Sequence, residues 1–178
     1  EAVRLEMLLA EQHPEPADLD ERVDKFGQTA LHRAAASGHT RCAVLLLDAG
    51  ADASLCNAFG HGALHLAARG GHAGVFRELL RRGVQLTSTD QHGNTVLHVA
   101  AQYGQKEIFH LALLAGADLN ATTAFGTTPA EVAANEGNYE LAALLDENSA
   151  SPTRRAAGWE AETMARRGLA VGPPPHGV

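Results

Sequence analysis

Aromatic residues make up only 4% of this 178-residue chain, so a core must come from alanine, leucine and valine in close contact, as short helices at small separations allow. Cysteine is scarcer still. Two thiols, Cys42 and Cys56, without a signal peptide, exclude the disulfide framework of a small secreted domain. No apolar run approaches the roughly 18 residues of a spanning helix, so membrane insertion is not expected. These absences together point to a reducing intracellular compartment, cytoplasmic or nuclear. A basic stripe interleaved with aromatics is missing as well. The arginine pairs Arg81-Arg82, Arg154-Arg155 and Arg166-Arg167 read as solvated helix faces. Phosphate recognition rests on clustered lysine and arginine, and nucleic acid is therefore not an expected partner.

Apolar residues are plentiful at 45%, with 20% charged, a balance that folds rather than staying disordered. The length suits one domain of ordinary size. The formal net charge is −7, and the acid gathers at the N-terminus, where Glu1, Glu6, Glu11, Glu15, Asp18, Asp20 and Glu21 face only Arg4 and Arg22.

Glycine carries the organisation of the chain. Gly27, Gly60, Gly93 and Gly126 recur every 33 residues, and Gly38, Gly71, Gly104 and Gly137 keep step with them. A third series, Gly50, Gly83 and Gly116, opens Gly50-Ala51-Asp52, Gly83-Val84-Gln85 and Gly116-Ala117-Asp118. Between them lie Thr29-Ala30-Leu31-His32, Gly62-Ala63-Leu64-His65, Thr95-Val96-Leu97-His98 and Thr128-Pro129-Ala130-Glu131, each followed by an Ala-Ala pair. Thr29, Thr95 and Thr128 can N-cap a short helix, and the second glycine series can supply the positive φ that ends it. Cys42, Leu45 and Leu46, then Val75, Leu79 and Leu80, then Ile108, Leu111 and Leu114 mark a second helix by their spacing. Helices of two to three turns do not persist alone in water, so their stability must come from stacking on neighbours.

This pattern resembles the ankyrin repeat, with its 33-residue period and Thr-Pro-Leu-His-x-Ala core. The resemblance implies an all-α ankyrin-repeat solenoid of helix-turn-helix pairs joined by β-hairpin-like loops. Its units are 24–56, 57–89, 90–122 and a C-terminal 123–146. A one-dimensional array of this kind offers a concave face for binding. Ala30, Ala63 and Val96 replace the family's proline, which costs no contact. Gly62 stands where threonine should cap, and Gly70 and Gly71 weaken the same helix, so the second unit is expected to be the softest.

The array is bounded by two segments of other character. In residues 1–23, Val3, Met7, Leu8 and Leu9 resemble the second helix of a preceding unit, followed by a proline-containing connection, Glu11 to Pro16. Glu1 to Ala10 is either a one-helix cap or the visible part of a longer chain, and the lack of an initial Met favours the second. After Tyr139, Leu141, Leu144 and Leu145 no further Gly-Ala-Asp follows. Residues 147–178 then form an extension in which Arg154 to Arg167 can make a helix carrying Trp159, ahead of a Pro/Gly tail. That segment is either a capping helix with a free tail or a docking element built on Trp159.

Candidate chemistry is thin. His32, His65 and His98 recur at repeat spacing, and the resemblance implies hydrogen-bonding structural roles, as it does for His39 and His72. Glu131 replaces the repeating histidine in the last unit, where no further hairpin needs it. His61 and His65 lie four apart, but no third and fourth ligand is spaced nearby, so no metal or other cofactor is expected. Cys42 falls on a buried helical face, and Cys56 lies in a loop as a free thiol. The glycines punctuate helices and hairpins and form no phosphate cradle. No pocket of convergent titrating groups can be read, so no enzymatic activity is expected.

Function is then expected where the scaffold leaves side chains free, at the hairpin tips and the exposed ends of the first helices. These positions hold Lys25, Phe26, Gln28, Phe59, His61, Arg69, Gln91, His92, Asn94, Gln102, Tyr103, Phe125, Thr127 and Asn135, with Trp159 beyond the array. Phe26, Phe59, His92 and Phe125 are equivalent, and stacking should align them about 10 Å apart. Such a stripe beside Tyr103 has the composition of an interface hot spot. The competing reading has the same rings packing on neighbouring hairpins. The resemblance implies a protein-binding adaptor or scaffold, within a larger assembly or longer chain. The alternative is a regulatory region of a larger enzyme or channel.

Overall fold

A computed structural model describes residues 19–148 of the chain. The expectations for residues 1–18, for the C-terminal helix and Trp159, and for the Pro/Gly tail lie outside the described residues.

Eight helices lie within the described residues, in four pairs. The first helices are α1 (Ala30–Ala36), α3 (Ala63–Gly70), α5 (Val96–Gln102) and α7 (Pro129–Asn135), and the second helices are α2 (Thr40–Asp48), α4 (Ala73–Arg81), α6 (Lys106–Leu114) and α8 (Tyr139–Asn148). First helices pack on first helices throughout, and α2 packs on α4 and α4 on α6. Among the described residues the loops form no strand, only an isolated antiparallel bridge between Cys56 and Gly62.

Local chemistry sets the helix boundaries. Thr29, Thr95 and Thr128 occupy N-caps in extended conformation. Each joins a capping box in which the side chain three residues on, His32, His98 or Glu131, accepts the cap residue's own N–H. The first helices end where Gly38, Gly71, Gly104 and Gly137 take positive φ. At three of these glycines an added Cβ would displace a side chain of the next unit. A Cβ on Gly38 would lie 2.4 Å from His72 Nδ1, on Gly71 2.3 Å from Gln105 Oε1, and on Gly104 2.8 Å from Asn138 Oδ1.

The Ala-Ala pairs form the closest part of the stack. Ala35, Ala67, Ala68, Ala100 and Ala133 are fully buried, and the short side chains let first helices approach each other. Leu31, Leu64 and Leu97 repeat beside them, as do Val75, Ile108 and Leu141 on the second helices. The second helices form where their aliphatic spacing marked them, but that spacing does not trace their buried face. Leu114 is 87% exposed, at a position that holds Asp48 and Arg81 in earlier units. Phe76 and Phe109, which the aliphatic spacing overlooked, are instead the largest fully buried side chains. Their equivalents Ala43 and Ala142 are small, so the bulk of the core sits in the middle two units.

Candidate functional site

The hairpin tips are built by one device repeated four times. The side chains of Asp24, Asn57, Asp90 and Thr123 each accept two backbone N–H groups of their own tip: Phe26 and Gln28, Phe59 and His61, His92 and Asn94, Phe125 and Thr127. Successive tips are then tied together. The N–H of Ala58 donates to Phe26 O at 2.9 Å, that of Gln91 to Phe59 O at 3.2 Å, and that of Ala124 to His92 O at 2.9 Å. Glycine is required at this contact, since a Cβ on Gly60 or Gly93 would lie 2.8 or 2.7 Å from the next tip's backbone nitrogen.

The histidine series holds the tips to the helices. His32 Nε2 lies 3.1 Å from His61 O, His65 Nε2 3.2 Å from Asn94 O, and His98 Nε2 3.0 Å from Thr127 O. A carbonyl can only accept, so Nε2 carries the proton and Nδ1 is the acceptor. In the first and third units the threonine hydroxyl reaches that acceptor, with Thr29 Oγ1 and Thr95 Oγ1 each 2.9 Å from it. In the second unit Gly62 offers no hydroxyl, and His65 Nδ1 is the one buried side-chain polar atom without a partner among the described residues. Burial depresses the pKa of all three imidazoles. The expected structural role of these residues is therefore visible atom by atom.

A second set of bonds runs along the inner turns. His72 Nε2 lies 3.1 Å from Ala36 O, Gln105 Nε2 3.3 Å from Arg69 O, and Asn138 Nδ2 2.9 Å from Ala101 O. His72 is structural, as the resemblance implied. Gln105 and Asn138 were not singled out in the sequence, although they occupy the same register as His39 and His72.

The predicted binding positions divide under this geometry. His61 and Asn94 turn inward: His61 Nε2 lies 3.3 Å from Asp90 Oδ2, and Asn94 Nδ2 donates to the same oxygen at 2.9 Å. Burial alone would raise the Asp90 carboxyl, but the Asn94 amide, the backbone N–H groups and His61 hold it below its ordinary value. Gln91 Nε2 bonds Ala58 O at 2.6 Å and so also braces the tips. Gln28 and Thr127 contribute backbone groups to their tips and are half-buried. Lys25, Phe26, Phe59, Arg69, His92, Gln102, Tyr103, Phe125 and Asn135 face solvent.

The aromatic ladder is shorter and tighter than its sequence spacing suggests. Phe26 and Phe59 have ring centroids 5.8 Å apart rather than about 10 Å, because the rings lean together across the tied tips. The ring contacts then turn inward, from Phe59 to His61 at 6.2 Å and from His61 to His65 at 6.0 Å. His92 and Phe125 make no ring contact among the described residues, and Phe125 is 82% exposed. Beside the ladder, the Arg69 guanidinium lies 5.4 Å from the Tyr103 ring and Lys25 Nζ 5.0 Å from the Phe26 ring.

Two clefts, of about 280 and 300 Å³, lie between successive units. One is lined by Ser54, Cys56, Gly62 and Leu64, and the other by the residues at the same register one unit later, Thr87, Thr89, Thr95 and Leu97. A cleft that recurs with the repeat belongs to the scaffold. Among the described residues no group of three or more His, Cys, Asp or Glu is placed to hold a metal. Cys42 is buried and Cys56 half-buried, both as free thiols.

The family profile described as ankyrin repeats (3 copies) matches residues 2–90, 31–123 and 84–156. The chain belongs to the ankyrin-repeat family. No curated protein matches it. Ankyrin repeats are generally protein–protein interaction modules and typically non-catalytic. In this ankyrin chain no described helix is long and apolar enough to cross a membrane.

Proposed function

We propose that this ankyrin-repeat chain is an adaptor or scaffold that binds a partner protein on its hairpin tips and the adjoining ends of the first helices. The observation that carries the reading is the division among the tip residues. Polar side chains such as His61, Asn94 and Gln91 are engaged in holding the array together. Phe26, Phe59, Tyr103 and Phe125 remain 40%, 48%, 44% and 82% exposed on the same side. Large aromatic rings left in water beside a rigid backbone are what an interface centre requires.

The test is quantitative affinity purification from cells that express the protein, comparing the wild type with a Phe59→Ala/Phe125→Ala variant. Proteins recovered by the wild type and lost by a folded variant support the reading. Equal recovery by both overturns it.

A further inference from the structure

The charges of the array are distributed unevenly between its two sides. On the second helices, Arg77 pairs with Glu107 at 2.6 Å, Arg82 with Asp48 at 2.5 Å and with Glu78 at 2.9 Å, Arg81 with Glu78 at 3.0 Å, and Lys106 with Glu140. These cations are neutralised in place. On the hairpin and first-helix side, Lys25 and Arg69 are exposed, and no described carboxylate lies within ion-pairing distance of them.

Within the tip and first-helix segments of the first three units, acid is confined to two residues. Segments 24–38, 57–71 and 90–104 contain only Asp24 and Asp90. Each turns one oxygen onto two backbone N–H groups of its own tip, and Asp90 is 8% exposed. The described residues of these segments therefore present exposed positive charge at Lys25 and Arg69, with Asp24 and Asp90 turned onto their own tips, in a chain whose net charge is −7. Local field rather than net charge governs docking at short range. Arg69 lies over Tyr103 and Lys25 over Phe26, so the aromatic faces hold the cations while leaving their N–H groups available to an incoming anion.

We propose that this surface receives an acidic segment of the partner protein. Its carboxylates would meet Arg69 and Lys25, and an aromatic or large aliphatic side chain would seat against Phe26 and Phe59. The inference rests on the binding surface proposed above and adds the chemistry of what it takes. The site ends at the third unit, because Glu136 stands at the exposed end of α7.

Selection of peptides from a random displayed library on the full chain tests it, followed by fluorescence anisotropy of the enriched peptides. Enriched peptides should be net negative and carry an aromatic or large aliphatic residue. Lys25→Glu/Arg69→Glu should weaken them at least about tenfold, Arg69→Gln should weaken them less, and added salt should weaken them further. Circular dichroism checks that the variants fold. Neutral or basic peptides that are lost on Phe59→Ala would overturn the acidic chemistry and leave the surface standing. Peptides indifferent to Phe59→Ala and to charge reversal would overturn both. Failure to enrich any peptide counts against the inference.

Discussion

His98 Nε2 donates to the carbonyl oxygen of Thr127 at 3.0 Å, joining α5 to the hairpin of the last unit, while its Nδ1 accepts the N–H of Thr95 at 3.1 Å. One ring thus caps its own helix and holds the next tip. His98→Ala removes both bonds, leaves two backbone groups unpaired in a site 1% exposed, and opens a cavity. A loss of about 2–4 kcal/mol is expected, read as a lower urea midpoint with unchanged slope. A shift under about 0.5 kcal/mol would show that the ring is not a structural tie.

Acid should loosen the whole array. His32, His65 and His98 have pKa values depressed below 6.5, chiefly by burial, so the unfolded chain binds more protons than the folded one as pH falls. The stability they contribute is complete above pH 6.5 and declines below it, until the pH has passed their folded pKa values. Melting temperature should therefore be flat from pH 8 to about 7 and fall progressively below about 6.5. A melting temperature that rises between pH 6.5 and 5 would contradict the neutral-histidine reading.

Gly62 leaves His65 Nδ1 without a donor, and a Cβ there would meet only ordinary contacts, the nearest being Leu55 O at 3.6 Å. Its φ of −82° suits any residue. Gly62→Thr should stabilise the chain by about 0.5–1 kcal/mol, whereas Gly62→Ala supplies no hydroxyl and should not. In the wild type, amides 63–68 should exchange faster than amides 96–101. Equal protection would show that burial between α1 and α5 outweighs the missing cap.

Two hairpin glycines separate backbone strain from close approach. Gly93 and Gly126 have φ of +77° and +75°, but a Cβ on Gly93 falls 2.7 Å from Ala124 N and a Cβ on Gly126 meets nothing within 4 Å. Gly126→Ala should cost about 1–2 kcal/mol from the left-handed conformation alone. Gly93→Ala should cost clearly more, and chemical denaturation of the two variants measures the difference.

Most of the fold was legible in the sequence because each residue type there has one local use. Threonine caps, glycine turns, paired alanines and histidine ties recur in register, and each recurrence supports the others. Aliphatic spacing located the second helices but not their buried face, since Leu114 is exposed and Phe76 and Phe109 are core. Spacing sets which residues share a helical face, and the neighbouring unit decides which of that face is covered. The candidate surface was read less well for a similar reason. His61 and Asn94 occupy the same tip position as Gln28, yet Asp90 draws both inward, Asn94 from its own tip and His61 from the tip before. The His61 pairing crosses units and has no trace in either repeat taken alone.

The central claim is that the exposed tip and first-helix residues form the binding surface while the histidine and hairpin bonds only build it. Hydrogen exchange of the chain with and without a partner recovered by affinity purification tests this most directly. Protection should appear at 25–28, 58–61, 69–71, 102–104 and 124–127. Protection confined to 77–82 and 106–114 on the second helices would contradict the account.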